Sequence, residues 1–388
     1  MISRLYVHNF KSIRDLDISL GAINVLAGPN TAGKSNVLDV FRFVHECVFP
    51  RAGLSGVPAA LARRGGVDEV LWKGGEEKLI TVGLEAADAA QPNTKYKYEL
   101  QVIAGVGGYV SLQGESLKLI QSGSEHELIV LKQGIGWLKN SDGKELGGVA
   151  QPNETALQHA SKTWDGYRFY EMVKLWRFYH LMPTKMKESS KMASGQILDE
   201  PGGDNLSAWL MWLQTHSPDA FSKVNEVLRD LLPSVKQIRT IPTEDGNVHL
   251  SVNEEGLRRP ATVWQASDGF LVLTALLSLI YVPPERGGTL YCVEEPENHL
   301  HPRLMETLVT LLRQAHGSDP LQAQFVFATQ SPYFLDQFSL DEVYWVEKKK
   351  GATEVHRPSD RKHLRKLVEN KELGLGDLML TGALGEDK

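Results

Sequence analysis

The chain has 388 residues, of which 42% are hydrophobic and 23% charged, a balance that fits an ordinary globular protein and excludes a disordered or fibrous one. A formal net charge of −6 excludes a globally basic nucleic-acid binder but leaves local patches open. Two cysteines, Cys47 and Cys292, are too few for a disulfide framework, so a reducing, cytoplasmic setting is expected.

From the N-terminus, residues 2–20 lack the apolar core of a signal peptide. They read as two short strands, with Leu5 and Val7, then Leu16, Ile18 and Leu20, alternating with polar positions. Ile23 to Ala27 is a short buried strand, and the helix after Asn36 carries Val37, Val40, Phe41 and Val44 at helical spacing. Between them stands Gly28-Pro-Asn-Thr-Ala-Gly-Lys-Ser35, which matches the phosphate-binding pattern G-x-x-x-x-G-K-[ST]. In that setting the loop Gly28, Pro29, Asn30, Thr31, Ala32 and Gly33 wraps a nucleotide's phosphates with its backbone N–H groups. Lys34 reaches the terminal phosphates, and the Ser35 hydroxyl helps hold Mg²⁺. Asn36 follows at the positive end of the helix. The chain is therefore expected to bind ATP with Mg²⁺.

Residues 50–75, rich in small residues and containing Arg63-Arg64-Gly65-Gly66, read as a loop with room for a short helix. From Leu79 to Leu138 the period is two, with Tyr96, Tyr98, Leu100 and Val102 on one face, which predicts an antiparallel meander. A polar connection over 139–154 follows. Helices are expected at Leu206–Leu213 and Phe221–Leu232, the second stopped by Pro233, and a polar mobile loop at Lys185–Gly195. Strands return at Val248–Val252 and Arg259–Trp264. The longest apolar run, Phe270 to Val282, is too short to span a bilayer and reads as a buried helix, so no membrane partner is expected. A strand near Leu290, a helix from Pro302 to about His316, a strand at Phe325–Ala328 and a hairpin of Val343–Val346 with Thr353–His356 complete the chain. The expected division is a first head lobe over 1–150, an inserted helical arm or lid over 151–232, and a second head lobe over 233–388.

A phosphate loop needs a partner strand ending in acids, because Mg²⁺ prefers carboxylate oxygens and the attacking water needs positioning. Leu290-Tyr-Cys-Val-Glu-Glu-Pro296 supplies it. Alternation along the strand sends the two acids different ways, Glu294 toward the metal and Glu295 toward the water as general base. Lys34 and Glu294 are 260 residues apart, so the sheet must be assembled from both ends of the chain. Ser267-Asp268-Gly269 precedes the apolar helix, with Ser267 a natural N-cap whose helix end would attract a phosphate. The strand ending Thr329-Gln330 offers Gln330, which donates a hydrogen bond without carrying charge.

With these residues in order, the chain resembles an ABC-type ATPase of the RecF/SMC/OLD group, an AAA-annotated stand-alone ATPase without a Toprim domain. The likeness runs through Leu5-Tyr-Val-His-Asn-Phe-Lys-Ser-Ile13, the phosphate loop, Ser267-Asp-Gly269, Val293-Glu-Glu-Pro-Glu-Asn-His-Leu-His-Pro302, Ala328-Thr-Gln-Ser-Pro332 and Leu373 to Gly385. It implies an α/β P-loop NTPase of ABC/SMC-head type, with a mixed central sheet, an antiparallel β lobe and an inserted helical arm. It also implies a homodimer sandwiching two ATP molecules. Ser267, Asp268 and Gly269 of one copy would meet the γ-phosphate held by Lys34 of the other. Phe10, Lys11 and Ser12 would lie near the base or ribose, and Asn298 to His301 would cross the dimer seam. Glu294 stands where aspartate is commoner, and Gln330 where the family usually has a histidine switch. The family's roles suggest DNA repair or antiviral defence, with DNA or a separately encoded nuclease or Toprim-type effector as partner. Candidate DNA contacts are Arg357, Arg361, Lys362, Arg365 and Lys366, with Lys185, Lys187 and Lys191. A zinc site at His299 and His301 is disfavoured, since neither cysteine is near. Two other readings share the motifs: an ATP-gated binding module with little turnover, favoured by Gln330, and a transporter's ATPase subunit.

Overall fold

The β-rich first third follows from its alternating pattern. In the computed structural model, which describes all residues except 51–55, 89, 92, 106–108, 150–151, 189, 192–196, 284, 319–322 and 386–388, the chain opens with β1 (Ile2–Phe10), β2 (Ile13–Ser19) and β3 (Ile23–Ala27). Helices α1 (Lys34–Val48), α2 (Gly56–Ala62) and α3 (Val67–Val70) come next. The meander consists of β4 (Leu79–Ala87), β5 (Thr94–Ala104), β6 (Val110–Gln121), β7 (Ser124–Lys132), β8 (Ile135–Lys139) and β9 (Glu145–Val149). With β1 and β2 it forms an antiparallel sheet in the order β2-β1-β4-β5-β6-β7-β8-β9. Strand β9 lies inside the stretch expected to be a connection. Its sequence, Glu-Leu-Gly-Gly-Val, reads as a turn, and only pairing with β8 makes it a strand.

Beyond residue 154 come α4 (Tyr167–Lys174), β10 (Trp176–Tyr179), α5 (Pro183–Met186), β11 (Ser190–Lys191), α6 (Leu206–His216) and α7 (Pro218–Leu231). Of the polar loop expected at Lys185–Gly195, residues 189 and 192–195 lie outside the described residues, and α5 and β11 occupy parts of the rest. A small sheet then combines β11 with β12 (Val235–Pro242), β13 (Asn247–Glu254) and β14 (Ala261–Thr262). Strand β12 escapes a period-two reading because a register shift between Val235 and Gln237 puts its buried residues at Val235, Ile238 and Thr240. The strand expected over Arg259–Trp264 shrinks to β14, followed by a 3₁₀ turn at Val263–Gln265. The chain finishes with α8 (Asp268–Ile280), β15 (Leu290–Glu294), α9 (Pro302–Ser318), β16 (Gln324–Thr329), α10 (Pro332–Leu335), β17 (Val343–Lys349), β18 (Ala352–His356), α11 (Lys362–Glu369) and α12 (Leu375–Leu380).

The central sheet has the order β10-β15-β16-β3-β17-β18, parallel except for the last pair. Its edge strand β10 comes from the stretch read as helical. Four residues directly after α4 give no periodic signal, and their pairing partner β15 is more than a hundred residues away. Both faces of this sheet are covered, which is why its strands are continuous apolar runs. One face presents Leu26, Cys292, Val326, Ala328, Tyr344 and Val346 to a core shared with α1 and the antiparallel sheet. The other presents Val25, Tyr291, Val293, Phe325, Phe327 and Val343 to α6, α7, α8 and α9.

One buried acid ties the antiparallel sheet to the 3₁₀ turn at Ala156–His159. Glu115, on β6, is 2% exposed and accepts from Tyr98 Oη at 3.0 Å, from the Leu157 N–H at 3.2 Å and from the Ala156 N–H. Burial pushes its carboxyl up to about 7 despite these three donors. The folded state therefore keeps a proton that the unfolded chain has released, and stability falls as pH rises from about 4.5 to 7. Glu115→Gln cannot release a proton, so the stability gap between wild type and variant should narrow by about 3 kcal/mol across that window in denaturant titrations. A gap constant with pH would mean that the carboxyl is ionised throughout.

Candidate functional site

The site is assembled where three parallel strands end together. β16 lies between β3 and β15, with Thr329 level with Ala27 and Ala328 level with Glu294. The phosphate loop, the acidic pair and Gln330 thus leave the sheet side by side, at the strand ends where α/β sheets bind ligands.

The loop is fixed by close packing. A Cβ on Gly28 would lie 2.0 Å from the Val346 carbonyl oxygen, and one on Gly33, at φ +107°, would lie 2.0 Å from Thr353 Oγ1. Only glycine fits either position. A hydroxyl relay braces the turn from outside. Asn36 Nδ2 donates to Ser12 Oγ at 2.6 Å, Ser12 Oγ shares a 2.6 Å bond with Thr353 Oγ1, and Thr353 Oγ1 donates to the Ala32 carbonyl at 2.9 Å. Since the Thr353 proton goes to Ala32, Ser12 is the donor in the middle link. Ser12 and Asn36, expected at the nucleotide, thus serve the loop's shape.

Phe10 was expected beside the base or ribose. It is fully buried and packs on Phe43 at 5.4 Å, because it is the inward-facing last residue of β1. Lys11 pairs with Asp39 of α1 at 2.6 Å. Asp39 also receives Arg64, which bonds Glu46 as well, each at 2.6 Å, so the sequence's Arg63-Arg64 pair helps anchor α1 from behind.

Lys34 is nearly buried, and Nζ donates to the Gly28 and Pro29 carbonyls at 2.8 and 2.9 Å. Burial holds its ammonium below the usual lysine range, while Glu295, Glu297 and Glu294 pull the other way. Ser35 Oγ donates to Glu294 Oε2 at 2.7 Å. These two hard oxygens suit Mg²⁺, and the Lys34 and Ser35 N–H groups that open α1 suit phosphate, those of Asn36 and Val37 being bonded to the Gly33 carbonyl. Glu295 leaves β15 at φ +46°, a strained conformation for a side-chain-bearing residue. Gln330 Nε2 donates to its Oε1 at 3.1 Å and Asn298 Nδ2 to its Oε2 at 2.7 Å. The expected separation of the two acids holds in geometry: one meets Ser35, the other Gln330.

Ser267, Asp268 and Gly269 make no hydrogen bond or ion pair with the phosphate loop among the described residues. Ser267 is exposed at the start of α8, where its Oγ accepts from the Phe270 N–H at 3.3 Å. Asp268 pairs with Lys187 at 2.7 Å, which holds its carboxyl below the usual range. A Cβ on Gly269 would lie 2.4 Å from the His299 carbonyl oxygen, so the signature turn rests on the loop after the acids. His299 Nδ1 is 3.8 Å from Asp268. Much of the suggested basic patch is used internally. Arg365 pairs with Asp341 at 2.7 Å, Arg361 donates to the Ala383, Leu384 and Gly385 carbonyls, Arg357 stacks on Tyr344, and Lys185 pairs with Asp204.

Sequence reading missed Glu297, which lies buried beside this site with Thr329 Oγ1 donating to it. The signal was present as a third acid in Glu-Glu-Pro-Glu297, but nothing in the sequence tells an inward acid from a solvated one.

A family model described as "AAA domain, putative AbiEii toxin, Type IV TA system" matches residues 136–336, just over half of the chain. The chain belongs to this family. The matched AAA segment takes in the signature turn, the acidic strand and the switch strand, while the phosphate loop precedes it. A 50-residue stretch is 40% identical to the OLD nuclease of Thermus scotoductus and covers 13% of this AAA chain and 10% of that protein. Two solved structures share the fold. An SMC head bound to the C-winged helix domain of ScpA is 15% identical with a TM-score of 0.57, over 92% of this chain and 97% of the other. An SMC head with an extended coiled coil, bound to the C-terminal domain of ScpA derived from Pyrococcus furiosus, is 14% identical with the same TM-score, over 95% and 99%. The fold of this AAA protein is that of an SMC head.

The Ser35–Glu294 pair gives a direct expectation for the metal. Ser35→Ala removes a hydroxyl from a charged site, a loss that corresponds to about tenfold to a hundredfold in affinity. In calorimetric titrations that loss should appear for Mg-ATP and vanish when ATP is titrated without Mg²⁺.

Proposed function

We propose that this protein is an ATP-hydrolysing switch, in which two copies close head to head around two Mg-ATP molecules and reopen after hydrolysis. The observation that carries the reading is the convergence of Lys34, the Ser35–Glu294 pair and the Gln330–Glu295 pair at three adjacent strand ends. Ser35 and Glu294 would hold the metal, and Mg²⁺ when bound would supply neutralising charge to the phosphates. Lys34, now resting on loop carbonyls, would turn to the terminal phosphates. Glu295 would take the proton of the attacking water, its two oxygens aimed by Gln330 and Asn298.

The exposed Ser267 and the open start of α8 support a composite site, since the turn is free to approach a second copy's triphosphate. Lys187 offsets the Asp268 carboxylate there, which would otherwise oppose a phosphate. Both SMC heads are solved with a piece of ScpA, and the OLD relative is a nuclease. By analogy, we assign the switch an effector protein, a nuclease in antiviral defence or genome maintenance. Direct DNA contact has less support, because Arg357, Arg361 and Arg365 are engaged within the chain. Among the described residues no helix is long and apolar enough to cross a membrane.

Glu295→Gln should keep ATP binding, lower turnover on the order of 10²-fold or more, and accumulate a Mg-ATP-dependent dimer on gel filtration. Unaltered turnover would remove Glu295 as the base. The second reading, a nucleotide-gated binding module, is favoured by the uncharged Gln330 beside Glu295. Steady-state hydrolysis by the wild type at saturating Mg-ATP separates the two.

A further inference from the structure

Glu297 is a carboxylic acid 6% exposed, and acids are almost never buried so deeply without a partner for each oxygen. One oxygen, Oε1, accepts from Thr329 Oγ1, which in turn accepts from the Ser331 N–H at 2.9 Å. The other, Oε2, is buried and makes no hydrogen bond of good geometry among the described residues, although the Glu297 and Gln330 N–H groups lie near the carboxyl. Burial, with Glu295 adding to it, raises the carboxyl above the usual range and so favours its neutral form.

The location of this contact explains its cost. The last main-chain bond between β15 and β16 runs from the Glu295 N–H to the Ala328 carbonyl, at 2.8 Å. Past it, the Glu297–Thr329 bond ties the loop carrying Glu295 to the end of β16, next to Gln330. On one side of the tie Gln330 reaches Glu295 Oε1, and on the other Asn298 reaches Oε2. Glu295 also holds a left-handed backbone conformation, which persists only where its surroundings over-determine it.

We infer that Glu297 is a positioning residue, a clamp between the acidic loop and the switch strand that sets the separation of Glu295 and Gln330. It acts through Thr329 and does not touch substrate. A neutral clamp also spares the site a third negative charge beside Glu294 and Glu295. This inference rests on the hydrolytic reading above and adds a residue to it.

The test is steady-state ATP hydrolysis by Glu297→Ala, Glu297→Gln and Thr329→Val. Small displacements of catalytic groups cost on the order of 10- to 100-fold in rate. Glu297→Ala and Thr329→Val should each lose that much in kcat, with KM for Mg-ATP within about twofold of wild type. Glu297→Gln keeps an acceptor for Thr329 without charge and should restore most of the rate. Thr329→Val removes the donor to Glu297, together with the acceptor of the Ser331 N–H, and leaves Glu297 in place, so the clamp is tested even where Glu297→Ala fails to fold. Wild-type kcat in both Glu297→Ala and Thr329→Val overturns the clamp. A Glu297→Gln variant as slow as Glu297→Ala also overturns it, because the ionised carboxylate would then be acting directly. A wild type without turnover would instead remove the hydrolytic reading, and the clamp with it.

Discussion

The site depends on the in-register parallel pairing of β3, β16 and β15. These strands come from residues 23–27, 324–329 and 290–294, and no local interaction holds their ends together. Main-chain ladder bonds and the two apolar layers do so. Once Ala27, Ala328 and Glu294 are aligned, the loops beyond them have little freedom. The phosphate loop is fitted against Val346 and Thr353 of the outer hairpin, and the acidic loop against Thr329 and Gln330. A one-residue slip in the ladder would turn Glu294 into the core.

The same layering explains the strain at the site. Gly28 and Gly33 approach backbone or side-chain atoms so closely that a methyl group would collide, and Glu295 adopts a conformation that costs on the order of 1–3 kcal/mol. Such features survive because the sheet under them is rigid and covered on both faces. The acids share the region with Lys34, whose ammonium is drawn toward them while its burial opposes the charge. That ammonium rests on the Gly28 and Pro29 carbonyls.

The signature turn has a different character. Ser267 is exposed, and its neighbour Asp268 is occupied by Lys187 and approached by His299. The acidic loop touches it through the His299 carbonyl beneath Gly269. One loop therefore carries Glu295 for the chain's own site and supports the turn that would serve a second copy.

Local chemistry made much of this legible before any fold was known. Gly28 to Ser35 between a strand and a helix, an apolar strand ending in Glu294 and Glu295, and the period-two meander are each encoded within a short window. The AAA-type α/β fold follows from them. What the windows could not carry is whatever requires a distant partner. Strand β10 becomes a strand only against β15, β9 only against β8, and the bulge in β12 conceals its period. Phe10 turns inward because β1 lies on the core, Lys187 finds Asp268 from another element, and Glu297 is buried only once β16 closes over it. Hydrogen-bond donors and apolar spacing are properties of neighbouring residues, so the sequence determined those. Burial and long-range pairing are properties of the assembled layers, and only the tertiary structure decided them.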